Sequence, residues 1–325
     1  MSTSQNKSAI IILAARINIL FDTLSFLYKN FNNKHRYPVL IYTFGQLISE
    51  KKKREINDKI DITIKFFEIY PQLPGHIKEE ELYYNRTYLE YVRKKFDKKR
   101  IGFLHMCHFL LNLMNFDSNN LIATEIKKYQ SIMWIDDETY FKKKINENFF
   151  SFSEKFPLVT ATWTEFKKTK TNLEVTENMW EFYVNYVLKN NIEPKSKTLK
   201  EAIVSNNKDI LHKIDWPCGA VEIFNTNFFQ NDNWKNYLET INYNGGVYKH
   251  RWNPSYLIAL YLMTFYDNPI YNLDYIKKDI IDFKIAGSDN PVYYNPNVNN
   301  SKILRFINQN IIEPIKIIKK NLLKK

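Results

Sequence analysis

Residues 9–15 read Ala-Ile-Ile-Ile-Leu-Ala-Ala, an unbroken apolar run with Arg16 directly behind it. A strand wetted on one face alternates polar and apolar side chains, whereas one covered on both faces reads as a continuous hydrophobic run. The run is therefore expected to be a buried strand. Residues 18–31 follow with Leu20, Leu24, Leu27 and Phe31 at helical spacing. Tyr-Pro-Val-Leu-Ile-Tyr at 37–42 repeats the short apolar strand, 44–56 returns to a helical pattern, and 62–69 (Ile-Thr-Ile-Lys-Phe-Phe-Glu-Ile) gives a third strand. That order implies right-handed crossovers, and with them an α/β fold whose central sheet is mostly parallel and flanked by helices. Ligands of such sheets sit beyond the carboxyl ends of the strands.

Working outward, residues 79–115 read as helical with a break near 98–101, 131–135 and 220–224 as apolar strands, and 149–153 as a further short strand. Residues 232–241 and 256–265 carry helical patterns. The stretch 168–215 is rich in Lys and Asn, with a helix expected at 177–188, and reads as an insertion or lid. Residues 302–325 form a basic amphipathic helix interrupted at Pro314. The expected organisation is one domain over residues 1–270 and an extension over 271–325.

A chain of 325 residues with 44% hydrophobic and 25% charged side chains has the composition of a globular protein with a substantial core. Seven glycines are too few for a collagen-like or Gly-turn repeat. No run reaches the roughly 18–20 apolar residues of a membrane span, so a cytoplasmic protein is expected. Its C-terminal helix is a candidate for peripheral contact with an anionic membrane surface. The net charge of +12 favours anionic partners without choosing among them. Nucleic acid is not the expected one. Cys107 and Cys218 are the only cysteines and give no zinc pattern, leaving a single bridge between them open.

The chain contains no G-x-G-x-x-G, Walker A loop, G-x-S-x-G or H-E-x-x-H. The sharpest local signal is Ile132-Met133-Trp134-Ile135-Asp136-Asp137-Glu138, an apolar strand running straight into three acids. Concentrated negative charge at a strand's carboxyl end calls for a cation. Hard divalent ions suit carboxylate oxygens and share their coordination with substrate phosphates, as at the Asp-x-Asp motif of nucleotide-sugar transferases. A solvated acidic turn would look the same. His105-Met106-Cys107-His108 lacks a second ligand pair elsewhere and reads as a helix packing Met and Cys inward. Glu222 is an acid embedded in an apolar strand.

These residues resemble glycosyltransferase family 15, the fungal Golgi α-1,2-mannosyltransferases. Phe31-Asn32-Asn33-Lys34-His35-Arg36-Tyr37-Pro38 is similar to the family's F-N-x-K-x-x-Y-P, and Leu13-Ala14-Ala15-Arg16 to its first-strand L-A-R. His105-Met106-Cys107 followed by Phe109 resembles H-M-C-R-F, with His108 in place of Arg. Asp136-Asp137-Glu138 falls where the family has Glu-Pro-Asp, and Val221-Glu222-Ile223 resembles its F-E-I strand. Gly245-Gly246-Val247-Tyr248 with Arg251-Trp252 is similar to G-G-F-F-Y-E-R-W. The resemblance runs in order over residues 9–266 and lapses in 168–215 and in the tail.

It implies a GT-A-like glycosyltransferase fold and transfer of mannose from GDP-mannose to a glycan or glycoprotein acceptor. It also implies retention of configuration and dependence on Mn²⁺ or Mg²⁺. Asp136 and Glu138 would hold the metal, with Asp137 and Arg16 contacting the cofactor or nucleotide. Glu222 would be the catalytic carboxylate, and Arg251 and Trp252 would shape the acceptor side. The family's metal-binding histidine after R-W is Tyr256 here, so His250 is the candidate metal ligand in its place. Two other readings are a catalytically silent relative that binds sugars or protein, and a basic nucleic-acid-binding protein.

Overall fold

A computed structural model describes residues 7–83, 90–116, 121–160, 163–165, 176, 178–206, 215–217, 221–273 and 281–282. Its centre is a seven-stranded sheet: β1 (Ser8–Leu13), β2 (Val39–Phe44), β3 (Ile64–Ile69), β4 (Ser131–Asp136), β5 (Leu158–Thr160), β6 (Val221–Asn225) and β7 (Ile270–Asn272). The order across the sheet is β7-β5-β6-β4-β1-β2-β3. The pairs β1–β2, β2–β3, β1–β4 and β5–β7 are parallel, whereas β6 runs antiparallel to β4 and β5. Six strands therefore share one direction and β6 alone opposes them. The mixed, mostly parallel sheet expected from the sequence is present.

Side chains alternate between two buried faces. Ala9, Ile11, Leu13, Leu40, Tyr42, Ile132, Trp134 and Phe224 join one core, and Ile10, Ile12, Val39, Ile41, Met133, Ile135, Val221 and Ile223 join the other. The second core is closed by α1 (Ile17–Leu27), through Leu20, Leu24 and Leu27, and by α2 (Glu50–Lys59), through Ile56. On the opposite face lie α3 (Glu90–Asn112), α4 (Met179–Lys189), α5 (Lys197–Val204), α6 (Asp232–Asn244) and α7 (Pro254–Phe265). Ten of the twelve residues of α7 are buried, and no face of it is polar enough to be left in water.

The structure corrects several expectations. Residues 149–153 are not a strand: Phe150–Ser153 is a helical turn, set by the Asn148 side chain accepting from Phe150 N at 3.1 Å. Helix α3 runs through 98–101 without a break. The polar stretch 168–215 carries α5 besides the expected helix, and Ser196 caps it by accepting from Leu199 N. Strands β5 and β7, three residues each, were not foreseen, and β7 carries the sheet past residue 270. Residues 302–325, where a basic helix is expected, and Cys218 lie outside the described residues; Cys107 is a buried free thiol. No helix among the described residues is long and apolar enough to cross a membrane.

Candidate active site

Because β6 opposes its neighbours, it begins where they end. Its second residue, Glu222, pairs with Trp134 of β4 and Thr160 of β5, close to their carboxyl ends. Asp136 closes β4 opposite Leu13, the last residue of β1, so the segments leaving both strands meet.

There Arg16 enters the acidic run. The backbone N–H groups of Ala15 and Arg16 both donate to Asp137 Oδ2 at 2.8 Å, and Arg16 Nε donates to Asp137 Oδ1 at 2.8 Å. Arg16 Nη2 donates to that same oxygen, and Nη1 donates to Glu138 Oε2 at 2.6 Å. From α1, Thr23 Oγ1 donates to the Asp137 carbonyl at 2.6 Å. Asp137 is only 2% exposed. A buried carboxylate is tolerable when a guanidinium fork and backbone donors satisfy it together, and Asp137 has both. Arg16 thus clamps the run to the end of β1.

Asp136 and Glu222 are held differently. Asp136 accepts from Trp134 Nε1 at 3.1 Å, and burial pushes its carboxyl up to about 7, with the charges of Asp137 and Glu138 adding to the rise. Glu222 has no exposed surface. Neither of its oxygens meets hydrogen-bond geometry. Burial pushes its carboxyl up to about 7; the nearby Ser255 hydroxyl favours the charged form, and the Asp136 charge disfavours it. Burying a carboxylate without a partner is costly enough that it persists mainly where chemistry needs it. Asn272 continues the same row of the sheet through its pairing with Thr160, and its Oδ1 is also buried without a partner.

The far wall comes from α3 and the segment after α6. Cys107 is buried, and its thiol, pushed up to about 12 by that burial, feels both the Asp136 and the Arg251 charges. Arg251 takes a left-handed φ of 56° and lays its guanidinium 4.8 Å over the Phe103 ring, with Nε buried and unpartnered. Strained backbone of this kind is retained where surroundings or function demand it. Trp252, expected on the acceptor side, is 1% exposed. Its ring packs on Phe182 at 4.9 Å and against Gly246, where an added Cβ would fall 2.1 Å from it. Its face is covered by protein and not presented to a sugar. His250 stacks on Trp252 at 5.8 Å, and Tyr256 is buried in the first turn of α7. His105 Nδ1 lies 3.0 Å from Tyr248 Oη, and burial lowers His108 to about 4.

Among the described residues, no group of three or more His, Cys, Asp or Glu side chains is gathered to hold a metal. His250 is therefore not brought together with Asp136 and Glu138. A divalent ion that takes most of its ligands from water and phosphate needs only one or two protein carboxylates. Asp136 fits that requirement, with a raised carboxyl that a cation would restore to its charged form, and Glu138 adjoins it. Sequence reasoning missed Ser255 and Asn272. Asn253 followed by Pro254 does signal a helix start, which would have placed Ser255 in its first turn; Asn272 gave no local signal.

Comparison of the sequence with protein-family models and with curated proteins finds no match. The structure does find similar folds. It superposes on core-mannan synthase A (CmsA/Ktr4) of Aspergillus fumigatus in its Mn/GDP form, with a TM-score of 0.68 and 14% identity, over 86% of this chain and 75% of that one. For the mannosyltransferase Ktr4p of S. cerevisiae in complex with GDP, the TM-score is 0.65 and the identity 18%, over 92% and 77%. The fold is that of the GT-A glycosyltransferases. In this GT-A chain the carboxyl ends of the strands carry the acidic run, Glu222 and Arg251 together, as expected of a ligand site in a mostly parallel sheet.

Proposed function

We propose that the chain is a metal-dependent, retaining glycosyltransferase that moves mannose from GDP-mannose to a glycan or glycoprotein acceptor. The observation that carries this reading is Glu222, wholly buried and unpartnered beside Asp136 at the mouth of a GT-A sheet. The GDP complexes of the two similar mannosyltransferases support the choice of donor.

Asp136, with Glu138, would hold a divalent cation, which when bound offsets charge on the departing diphosphate. Arg251, whose guanidinium is stacked on a ring and not on an acid, supplies positive charge for the same phosphates. Glu222 meets the positive charge that develops at the anomeric carbon, as nucleophile or as electrostatic partner. Both roles require it ionised; burial is the main cause that raises its carboxyl and the Asp136 charge adds to it, so neutralising Asp136 would ease the ionisation of Glu222. Arg16, committed to Asp137 and Glu138, positions the acidic run instead of contacting nucleotide as its place behind the first strand suggested.

The test is thermal stability against GDP, GDP-mannose and other nucleotide sugars, each with Mn²⁺, Mg²⁺ or EDTA, followed by transfer assays with the stabilising donor. Native-state binding raises stability with the logarithm of saturation. A metal-dependent shift with one guanosine nucleotide is expected. No shift with any nucleotide would overturn the proposal and favour the catalytically silent alternative.

A further inference from the structure

Helix α4 comes from the polar stretch that the candidate active site does not use. Together with the last turn of α6 and Lys249, it encloses an open cleft of about 640 Å³. The cleft shares a wall with the candidate active site. Phe182 lines it and packs on Trp252, and Lys249 lines it two residues before Arg251.

We propose that this cleft binds a neutral oligosaccharide, the arm of the acceptor glycan that extends away from the reacting sugar. The choice of a sugar as ligand rests on the transferase reading; the chemistry of the lining supports it separately. Tyr243 is 82% exposed, yet its ring is held by stacking on His76 at 6.0 Å and 19°. A fixed, exposed aromatic face suits the apolar C–H face of a pyranose. The side-chain amides of Asn185 and Asn244 line the cleft and have no partner among the described residues. Each offers two donors and an acceptor, which matches vicinal hydroxyls. No acid lines the cleft. Of the two lysines in the lining, Lys249 is paired with Glu81 at 2.9 Å, and Lys189 sits exposed in the last turn of α4, where its charge complements the helix dipole. The cleft is also open and amphipathic, unlike the enclosed, mostly apolar pockets that hold small hydrophobic molecules.

The experiment titrates the full chain, without donor, with α-mannotriose, maltotriose and chitotriose by calorimetry. One trisaccharide is expected to bind. The double variant Tyr243→Ala/Asn185→Ala, made at two exposed positions, should weaken it roughly tenfold, the scale of one lost aromatic contact with its hydrogen bond. Absence of binding by all three sugars, wild-type affinity in the double variant, or displacement of the sugar by inorganic pyrophosphate would each overturn the proposal. GDP-mannose binding is measured separately. Sugar binding without any donor binding would sink the transferase reading while leaving the cleft standing, and the converse result would do the opposite.

Discussion

Asp136, Asp137, Glu138 and Glu222 lie about the carboxyl ends of β1 and β4, and they divide into two pairs. Asp137 and Glu138 share one arginine, and Asp137 also takes two backbone amides. Among the described residues, Asp136 and Glu222 are paired with no cation of their own, and both carboxyls are raised to about 7. The clamp on Asp137 is what a fold does with buried charge when it needs the charge for structure; Glu138 shares the arginine and adjoins the proposed cation site. The second pair is what remains when charge is kept for a ligand. Residues next to one another in sequence thus belong to different roles, and only the partners reveal which.

The comparison breaks most sharply at Glu222. If its unpartnered carboxylate serves chemistry, Glu222→Gln should fold normally and lose transfer by about 10³-fold or more, the scale seen when one key electrostatic group is removed. Initial rates with an accepted donor measure this. Transfer at the wild-type rate would return Glu222 to the status of a misplaced core residue.

Arg16→Gln tests the other pair. It removes the guanidinium that Asp137 and Glu138 share, and removing one member of a buried ion pair costs roughly 3–5 kcal/mol; because Arg16 keeps 30% of its side chain exposed and Asp137 keeps its two backbone donors, the low end of that range is expected. Urea unfolding would show it as a shifted midpoint with an unchanged slope. A loss of donor affinity without a loss of stability would instead give Arg16 back the nucleotide contact expected from its position behind the first strand.

Asp136→Asn sharpens the contrast with a smaller effect. It should leave stability near wild type while abolishing the Mn²⁺-dependent part of the thermal shift with GDP, worth about 2.7 kcal/mol at a hundredfold saturation. Retention of the full shift would move the metal to other residues.

How much of this was legible beforehand follows from the distances involved. The strands β1, β2 and β4 announce themselves because doubly covered strands are continuous apolar runs. Glu222 was visible as an interruption of one. The three-residue strands β5 and β7 are too short to show a period, and they exist only because β6 and the sheet edge recruit them. The clamp on Asp137 joins residues 121 apart, and it appears only once β1 is known to lie beside β4. Trp252 looked like a sugar platform because an aromatic beside an arginine often is one; the absence of a Cβ at Gly246, which lets the ring sink into the core, was printed in the sequence but could not be weighed without the packing.

The smallest effect concerns a buried base on the same wall. His108 sits among His105, Asn242 and Tyr248, and burial with the His105 charge lowers it to about 4. In the unfolded chain it should titrate near its ordinary value of about 6.5. Between those two values the unfolded state binds more protons than the native one, so stability is full above about pH 6.5 and falls as the pH drops toward 4. From pH 6.5 to 4.5 the loss attributable to His108 is about 2 kcal/mol. His108→Gln, which keeps a polar side chain without the titration, should flatten that part of the stability profile while leaving the neutral-pH value little changed. An equally steep profile in the variant would assign the acid sensitivity elsewhere. It would also mean that an ionisable group can lie largely out of water in this wall without its burial being felt, which would weaken the same argument for Asp136 and Glu222.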